Sequence, residues 1–433
     1  MKELSIGGET LQVPDSALIA AAPVPCTPGS FNELVCKAMD NPLDKKPLGQ
    51  WDFKGKKVAI LVDDWGRPTP CSEFLPSVVA RIKDAVDITI VTASGMHDPM
   101  SDEEMERKVG KDMMRRFRCV SHDAGDHTRL SFLGITPLGT PVWVNKYAAE
   151  ADIRLCFGRI FQHSNYGYEG GYKMIVPGIA SFETIMRDHS LNFSDLSNYG
   201  ILKKNPSRDE ADAVGRLVGI DFCVNFVMDF DARPVAAFGG SVEEVFARGV
   251  DFGQRNVWGA VTGRPADITL ISGVITGQER YLNNPTCYLG LAFSVTKPQG
   301  TVIAAADYKN RKRRLLDGFD LDLIPLGELV RLHEKRDWNK DPREIQWAIK
   351  NIRGTFYERR VLEAHKQKLF LASSTYPRET VERWNAVAYP SVAEALDTAL
   401  KLYSDPYVVV IPDPDHAIPL LEYDYSCGTQ PAP

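Results

Sequence analysis

The chain has 433 residues, with 51 Lys+Arg against 57 Asp+Glu for a formal charge of −6. Hydrophobic residues make up 44% and charged residues 25%, the balance of an ordinary globular protein large enough for two or three domains. The acidic excess argues against a general nucleic-acid binder. No run approaches the ~18 uninterrupted apolar residues of a membrane span, and Met1–Ser5 lacks the apolar core of a signal peptide; a cytoplasmic protein is expected.

Taken in order, the first ~50 residues are Pro-rich, with a strand expected at Glu3–Val13 and a helix near Ser30–Met39. A β/α pattern comes next. Val58–Val62 is a continuous apolar run, as in a strand buried on both faces. An amphipathic helix with Pro76 near its start is expected to run to about Ala85. Ile88–Thr92 reads as the next strand, and Ser101 with Glu104 forms a capping box that opens another helix. Further strands are expected at Val142–Asn145, Ile153–Phe157 and Cys223–Asp229. Beyond the Val261–Ala266 break a second series begins, with strands at Asp267–Ser272, Gly300–Ala306, Leu369–Ser373 and Tyr407–Pro412. A long helical stretch to about Gln367 includes Asp341-Pro342 as a helix start. The expected architecture is two α/β domains, 1–262 and 267–433, with an active-site cleft between them. The eight cysteines contain no Cys-x-x-Cys, so zinc-ribbon and thioredoxin spacings are excluded and buried thiols are expected.

The polar constellations lie where the strands end, which is where open α/β sheets place ligands. Asp63-Asp64-Trp65-Gly66-Arg67-Pro68 comes after the first strand and would suit a hydroxyl-plus-anion site, or a plain surface turn. Gly95-Met96-His97 comes after the second. The densest stretch runs from Arg159 through His163, Gly170, Gly171 and Lys173 to Pro177-Gly178. Glycines precede a lysine there, but Tyr172 intervenes and Met174 is next, so the Gly-Lys-Ser/Thr of a P-loop is absent. No Gly-x-Gly-x-x-Gly stands after a strand either. Asp188-His189 adds a third histidine. Two histidines can exchange acid and base roles near neutrality, which points to two-sided proton chemistry such as racemisation.

Together, these elements resemble the nickel-dependent lactate racemases and their 2-hydroxyacid racemase and epimerase homologues. The match rests on Asp64-x-x-Arg67-Pro68, Gly95-Met96-His97, His163 with Lys173 ten residues on, Gly170-Gly171-x-Lys173, Pro177-Gly178-Ile179-Ala180 and Asp188-His189. It runs over roughly residues 55–260 and more faintly beyond. The resemblance implies a nickel-pincer nucleotide, a pyridinium-3-thioamide-5-thiocarboxylic acid mononucleotide covalent at Lys173. His189 would be the protein's nickel ligand, with Gly170 and Gly171 close to the cofactor. His97 and His163 would be the paired acid/bases, Arg67 the anchor of the substrate carboxylate and Asp64 a positioning residue. The implied reaction abstracts the α-hydrogen as hydride and returns it to the other face of the keto acid. Cofactor-synthesis proteins and a small 2-hydroxy acid are the implied partners, without nucleic acid or membrane.

The chain departs from the family at Asp188, where Asn is usual, and at Tyr166 and Tyr168 around Gly167. Asn283–Cys287 lacks the family's Gln and Lys, and Asp307–Arg314 replaces its Gly-His-Gly loop. A substrate other than, or broader than, lactate is therefore expected, with the basic run Lys309–Arg314 as a candidate contact. Two other readings are a non-catalytic carrier of the nucleotide and a 2-hydroxyacid oxidoreductase.

Overall fold

The computed structural model describes residues 1–6, 9–20, 26–163, 165–194, 196–229, 232–258, 263–272, 286–305, 366–372, 378–383 and 386–412. The side chains at 286–290 are not among those described. The expectations at Asn283–Cys287, Asp307–Arg314 and Asp341-Pro342 therefore lie outside the described part of the chain.

The chain divides into two compact units, Val24–Val257 and a second made of Met1–Pro23 with Trp258–Pro433. This differs from the simple N-terminal and C-terminal split read from the sequence. Hydrogen bonding explains the difference. Leu18–Ile19 pairs in parallel with Val408–Ile411, and Glu9 accepts from the Val392 and Ala393 backbone N–H groups that open helix Val392–Leu400. Ile6, Leu11 and Val13 share a core with Ile268, Leu270 and Ile303. The single expected strand at Glu3–Val13 is a pair, Lys2–Ile6 antiparallel to Glu9–Val13.

Beside that antiparallel pair, six strands of the second unit form an all-parallel sheet in the order Val387–Tyr389, Lys368–Ala372, Thr296–Ala305, Ala266–Ser272, Val408–Ile411, Leu18–Ile19.

The Val24–Val257 unit is built on a six-stranded sheet. Its spatial order is Pro234–Gly240, Phe222–Met228, Ile153–Ile160, Lys57–Asp63, Asp87–Ala93, Arg118–Ser121. All neighbours are parallel except the antiparallel edge strand Pro234–Gly240. The sheet starts at Lys57–Asp63, grows outward through Asp87–Ala93 to one edge, then returns to the other side of the first strand with Ile153–Ile160. Strand order thus reverses between Lys57–Asp63 and Ile153–Ile160, as in doubly wound folds. The apolar run at 58–62 is buried throughout, because helices cover both faces of a parallel sheet. Val58, Ile60 and Val62 point into a core with Phe74, Phe157 and Phe226; alternation along the strand sends Ala59 and Leu61 to the other face.

One boundary needs correction. The helix with Pro76 near its start is Cys71–Arg81, ending at Arg81 rather than about Ala85, and Pro76 inside it removes one intrahelical hydrogen bond. The strand expected at Val142–Asn145 is present as Pro141–Asn145, pairing with Leu130–Ile135 in a separate antiparallel ribbon. The capping box is complete: Ser101 Oγ accepts from Glu104 N–H and the Glu104 carboxylate accepts from Ser101 N–H. The six described cysteines are all free thiols, and Cys71, Cys156 and Cys223 are buried.

Candidate active site at the switch point

The site residues expected from the motifs between Asp64 and His189 all fall in the Val24–Val257 unit. They cluster at the carboxyl ends of Lys57–Asp63, Asp87–Ala93 and Ile153–Ile160, around the point where strand order reverses. Two neighbouring carboxylates leave the first strand in different company. Asp63 takes the Lys108 ammonium at 2.7 Å and the Thr69 hydroxyl at 2.7 Å. Lys108 also donates to the Arg67 and Thr69 carbonyls, at 3.1 and 2.7 Å. This buried lysine therefore fixes the loop that carries Arg67. Asp64, only 2% exposed, turns instead to His97, with Oδ2 2.5 Å from Nδ1. Burial works to raise the Asp64 pKa, but the His97 hydrogen bond and the charges of His97, Arg67 and Lys108 hold it below the usual carboxylate range.

The loop bearing His97 is tied to the loop after Lys173, since Gly95 N–H donates to Gly178 O at 2.8 Å. Gly95 has φ +57°, and a Cβ there would press on Pro177. Ala180, at the end of that second loop, accepts from His122 Nε2 at 2.9 Å. His122 is fully buried, and burial pulls its pKa down to about 4 against the raising effects of the Ala180 hydrogen bond and Asp123. A folded-state pKa below the ordinary 6.5 means the unfolded chain binds the proton first. Stability is then complete above about pH 6.5 and falls as pH drops toward 4, by about 3 kcal/mol from this group. In urea unfolding, His122→Gln should lose correspondingly less stability between pH 7 and pH 4; an unchanged loss would remove His122 from this role.

The long stretch after Ile153–Ile160 folds as a tight hairpin, with Gln162 opposite Tyr168 and His163 opposite Gly167. His163 Nδ1 accepts the Asn165 backbone N–H at 3.1 Å. The Tyr166 and His163 rings meet edge to face, with centroids 5.3 Å apart. On the other side, the Tyr166 hydroxyl donates to Asp188 Oδ2 and lies 3.0 Å from His189 Nδ1. Asp188 Oδ2 is itself 2.9 Å from His189 Nδ1. The departures at Tyr166 and Asp188, far apart in sequence, are thus in contact beside His189.

Lys173 is 9% exposed and its Nζ lies over the Tyr166 ring, 4.5 Å from the centroid. Among the described residues it has no carboxylate within ion-pair distance. Burial holds its pKa well below the lysine range; Glu169 and Asp188 oppose this while Arg67 and Arg208 reinforce it. Gly170 and Gly171 have φ of +89° and +61°, and side chains there would strike Arg159 O and Arg208 Nη2. Gly171 N–H donates to Asn225 Oδ1 at 3.1 Å. This amide is committed within the protein, and the glycine pair serves to turn the chain so that Lys173 is buried.

Sequence reasoning assigned no role to three participants. Glu169 joins Arg67 Nη2 at 2.7 Å and Arg159 Nε at 2.8 Å; Tyr166 and Lys108 are the others. A Gly-containing turn between Arg159 and Glu169 signals the hairpin that pairs them. Nothing in the pattern of helix Asp102–Val109 marks Lys108 apart from a solvated lysine.

The donor set can be weighed against the group the motifs imply. Nδ1 of His189 is engaged by Asp188 and Tyr166, so a metal held by this ring would be taken by Nε2. A buried amine with a depressed pKa is nucleophilic enough to enter an amide-type link. Asp188 Oδ1 and both side-chain polar atoms of Gln162 are buried without hydrogen-bond partners. Among the described residues no three His, Cys, Asp or Glu side chains gather as a metal cage. The residues present fit the pincer nucleotide.

Fold and site together define a doubly wound α/β protein with a switch-point site of three histidines, a lysine and an arginine pair. Residues 7–200 match the lactate racemase N-terminal domain family. The chain is 30% identical to the lactate racemase of Thermoanaerobacterium thermosaccharolyticum over 285 residues, 64% of this chain and 66% of that enzyme. It is 32% identical to that of Lactiplantibacillus plantarum over 228 residues, 52% of this chain and 54% of that enzyme. The matches span less than two thirds of either relative. The solved lactate racemase apoprotein from T. thermosaccharolyticum shares the fold with TM-score 0.76 at 24% identity, covering 96% of this chain and 99% of that one. Among the described residues, no helix is long and apolar enough to cross a membrane.

Proposed function

We propose that this protein racemises or epimerises a 2-hydroxy acid, using a nickel-pincer nucleotide at Lys173 and His189 with His97 and His163 as acid/bases. One observation carries the proposal: the two histidines are fixed in opposite senses. The Asp64 carboxylate only accepts, so His97 Nδ1 carries a proton and its Nε2 presents a lone pair. The Asn165 N–H only donates, so neutral His163 holds its proton on Nε2. The resting site therefore offers a base at His97 Nε2 and a hydrogen-bond donor at His163 Nε2.

In this reading Arg67 anchors the substrate carboxylate. His97 Nε2 takes the hydroxyl proton as the C2 centre becomes a planar carbonyl, and Asp64 stabilises the imidazolium that forms. His163 is the acid/base of the opposite face; to take a proton at Nε2 its ring first moves its own proton to Nδ1, releasing the Asn165 N–H, and the imidazolium it then becomes returns the Nε2 proton when the reaction runs backward. The bound nucleotide supplies reversible hydride uptake at C2. Tyr166 and Asp188 hold the His189 ring in place for the metal, and the dedicated synthesis proteins of the nucleotide become partners of this chain.

The test is incubation of one enantiomer with protein produced alongside those synthesis proteins. Interconversion without build-up of 2-keto acid is expected. Accumulating keto acid would indicate an oxidoreductase, and unchanged optical composition a carrier. Arg67→Lys should raise KM and lower turnover, together by about tenfold or more in kcat/KM, because an ammonium cannot reproduce the guanidinium fork. Kinetics equal to the parent's would reduce Arg67 to a loop residue.

A further inference from the structure

Beside the proposed nickel ligand stands a carboxylate where the family usually has an amide. Asp188 is fully buried, yet its hydrogen bonds are one-sided. Oδ2 accepts from the Tyr166 hydroxyl and stands 2.9 Å from His189 Nδ1, whereas Oδ1 is buried without a partner. Among the described residues, His189 is at ion-pair distance from it and no lysine or arginine is. A carboxylate taken out of water needs positive charge or several donors to offset its lost hydration. The chain supplies two donors, both to one oxygen, and one of them is the ring assigned to nickel.

These two donors differ in consequence. A carboxylate only accepts, so in the neutral ring the proton facing Asp188 belongs to Nδ1, and Nε2 keeps its lone pair. The Tyr166 hydroxyl, 3.0 Å from the same Nδ1, gives its own proton to Asp188 and meets the ring as an acceptor. A cation on Nε2 would make Nδ1–H a stronger donor, and an anion at Nδ1 makes Nε2 a stronger ligand. This is one coupling seen from either end. An asparagine oxygen would accept the same N–H without the charge.

We propose that Asp188 is a positioning residue whose negative charge, acting through the His189 ring, tightens this chain's hold on nickel beyond what the family's usual asparagine would give. This rests on His189 being the nickel ligand.

Asp188→Asn, produced alongside the cofactor-synthesis proteins, keeps the shape and an acceptor oxygen and removes the charge. Against a competing chelator it should hold nickel about 10–100-fold less tightly than the parent, with a shift in the absorption spectrum of the bound metal. Free of nickel, it should unfold at or above the parent's Tm, because the buried charge it removes is poorly offset. Tyr166→Phe, which keeps the ring and the carboxylate, should hold nickel within about fivefold of the parent. Nickel held equally by Asp188→Asn and the parent overturns the proposal. An equal loss in Tyr166→Phe and Asp188→Asn does so too, since both residues would then only prop the ring. A lower Tm for nickel-free Asp188→Asn would make the carboxylate a fold element and is equally fatal. Should the asparagine variant not fold, NMR of the nickel-free parent with nitrogen-labelled histidine decides, with His189→Ala assigning the signal. Neutral His189 should carry its proton on Nδ1, far downfield; a proton on Nε2 overturns the proposal. A co-produced parent that holds no nickel overturns the underlying reading as well, and the Nδ1 signal would survive that outcome.

Discussion

Lys173→Ala, produced alongside the cofactor-synthesis proteins, is expected to show the mass of the unmodified chain, whereas the parent carries the added mass of one nickel-bearing nucleotide. The expectation stems from the lysine's surroundings. Its amine is buried against the Tyr166 ring, and burial holds its pKa well below the lysine range, which favours the neutral, nucleophilic form. The glycine turn before it is packed so tightly that the chain has little freedom to offer another residue in its place. Turnover should fall to background along with the mass increment. Intact-mass spectrometry with nickel analysis decides: the same added mass in the alanine variant would remove the covalent link from this reading. His189→Ala should release nickel while leaving the increment possible.

The second large effect separates proton transfer from cofactor retention. His97→Ala and His163→Ala should each lower turnover about 10²–10⁴-fold, the usual range for a general acid or base. The mass increment should stay, because Asp64 orients one ring and Asn165 the other, while the covalent link is assigned to Lys173 and the metal to His189. Both directions of the reaction should suffer in each variant, since each face needs its own proton carrier. A variant that keeps near-parent turnover in both directions would end the two-histidine scheme.

How much of this was legible in the sequence depended on the range of the interactions. Strand Val58–Val62 announces itself because burial on both faces forces an unbroken apolar run, and the Ser101–Glu104 capping box is a local motif. The strand-end positions of Arg67, His97 and Lys173 come from the same local reading. The switch between strands at 57–63 and 153–160 does not, because strand order is set by packing between segments about 90 residues apart. Nor does the partner of Arg67: Glu169 reaches it only once the hairpin after Arg159 has folded. The attachment of residues 1–23 to the second unit is likewise decided by a parallel pairing with Val408–Ile411, which no local pattern encodes.

The adjacent carboxylates at the end of the first strand also constrain how this protein can change. Successive strand residues face opposite sides, and the register Val62 to Phe157 and Asp63 to Ala93 fixes which side each takes. Asp63 is thereby bound to Lys108 and its loop, and Asp64 to His97. A single inserted or deleted residue within Lys57–Asp63 would exchange them, giving the scaffold lysine to one and the imidazole to the other while swapping the two apolar faces of the strand. Volume-conserving substitutions in this buried strand keep that parity, whereas a frame shift does not.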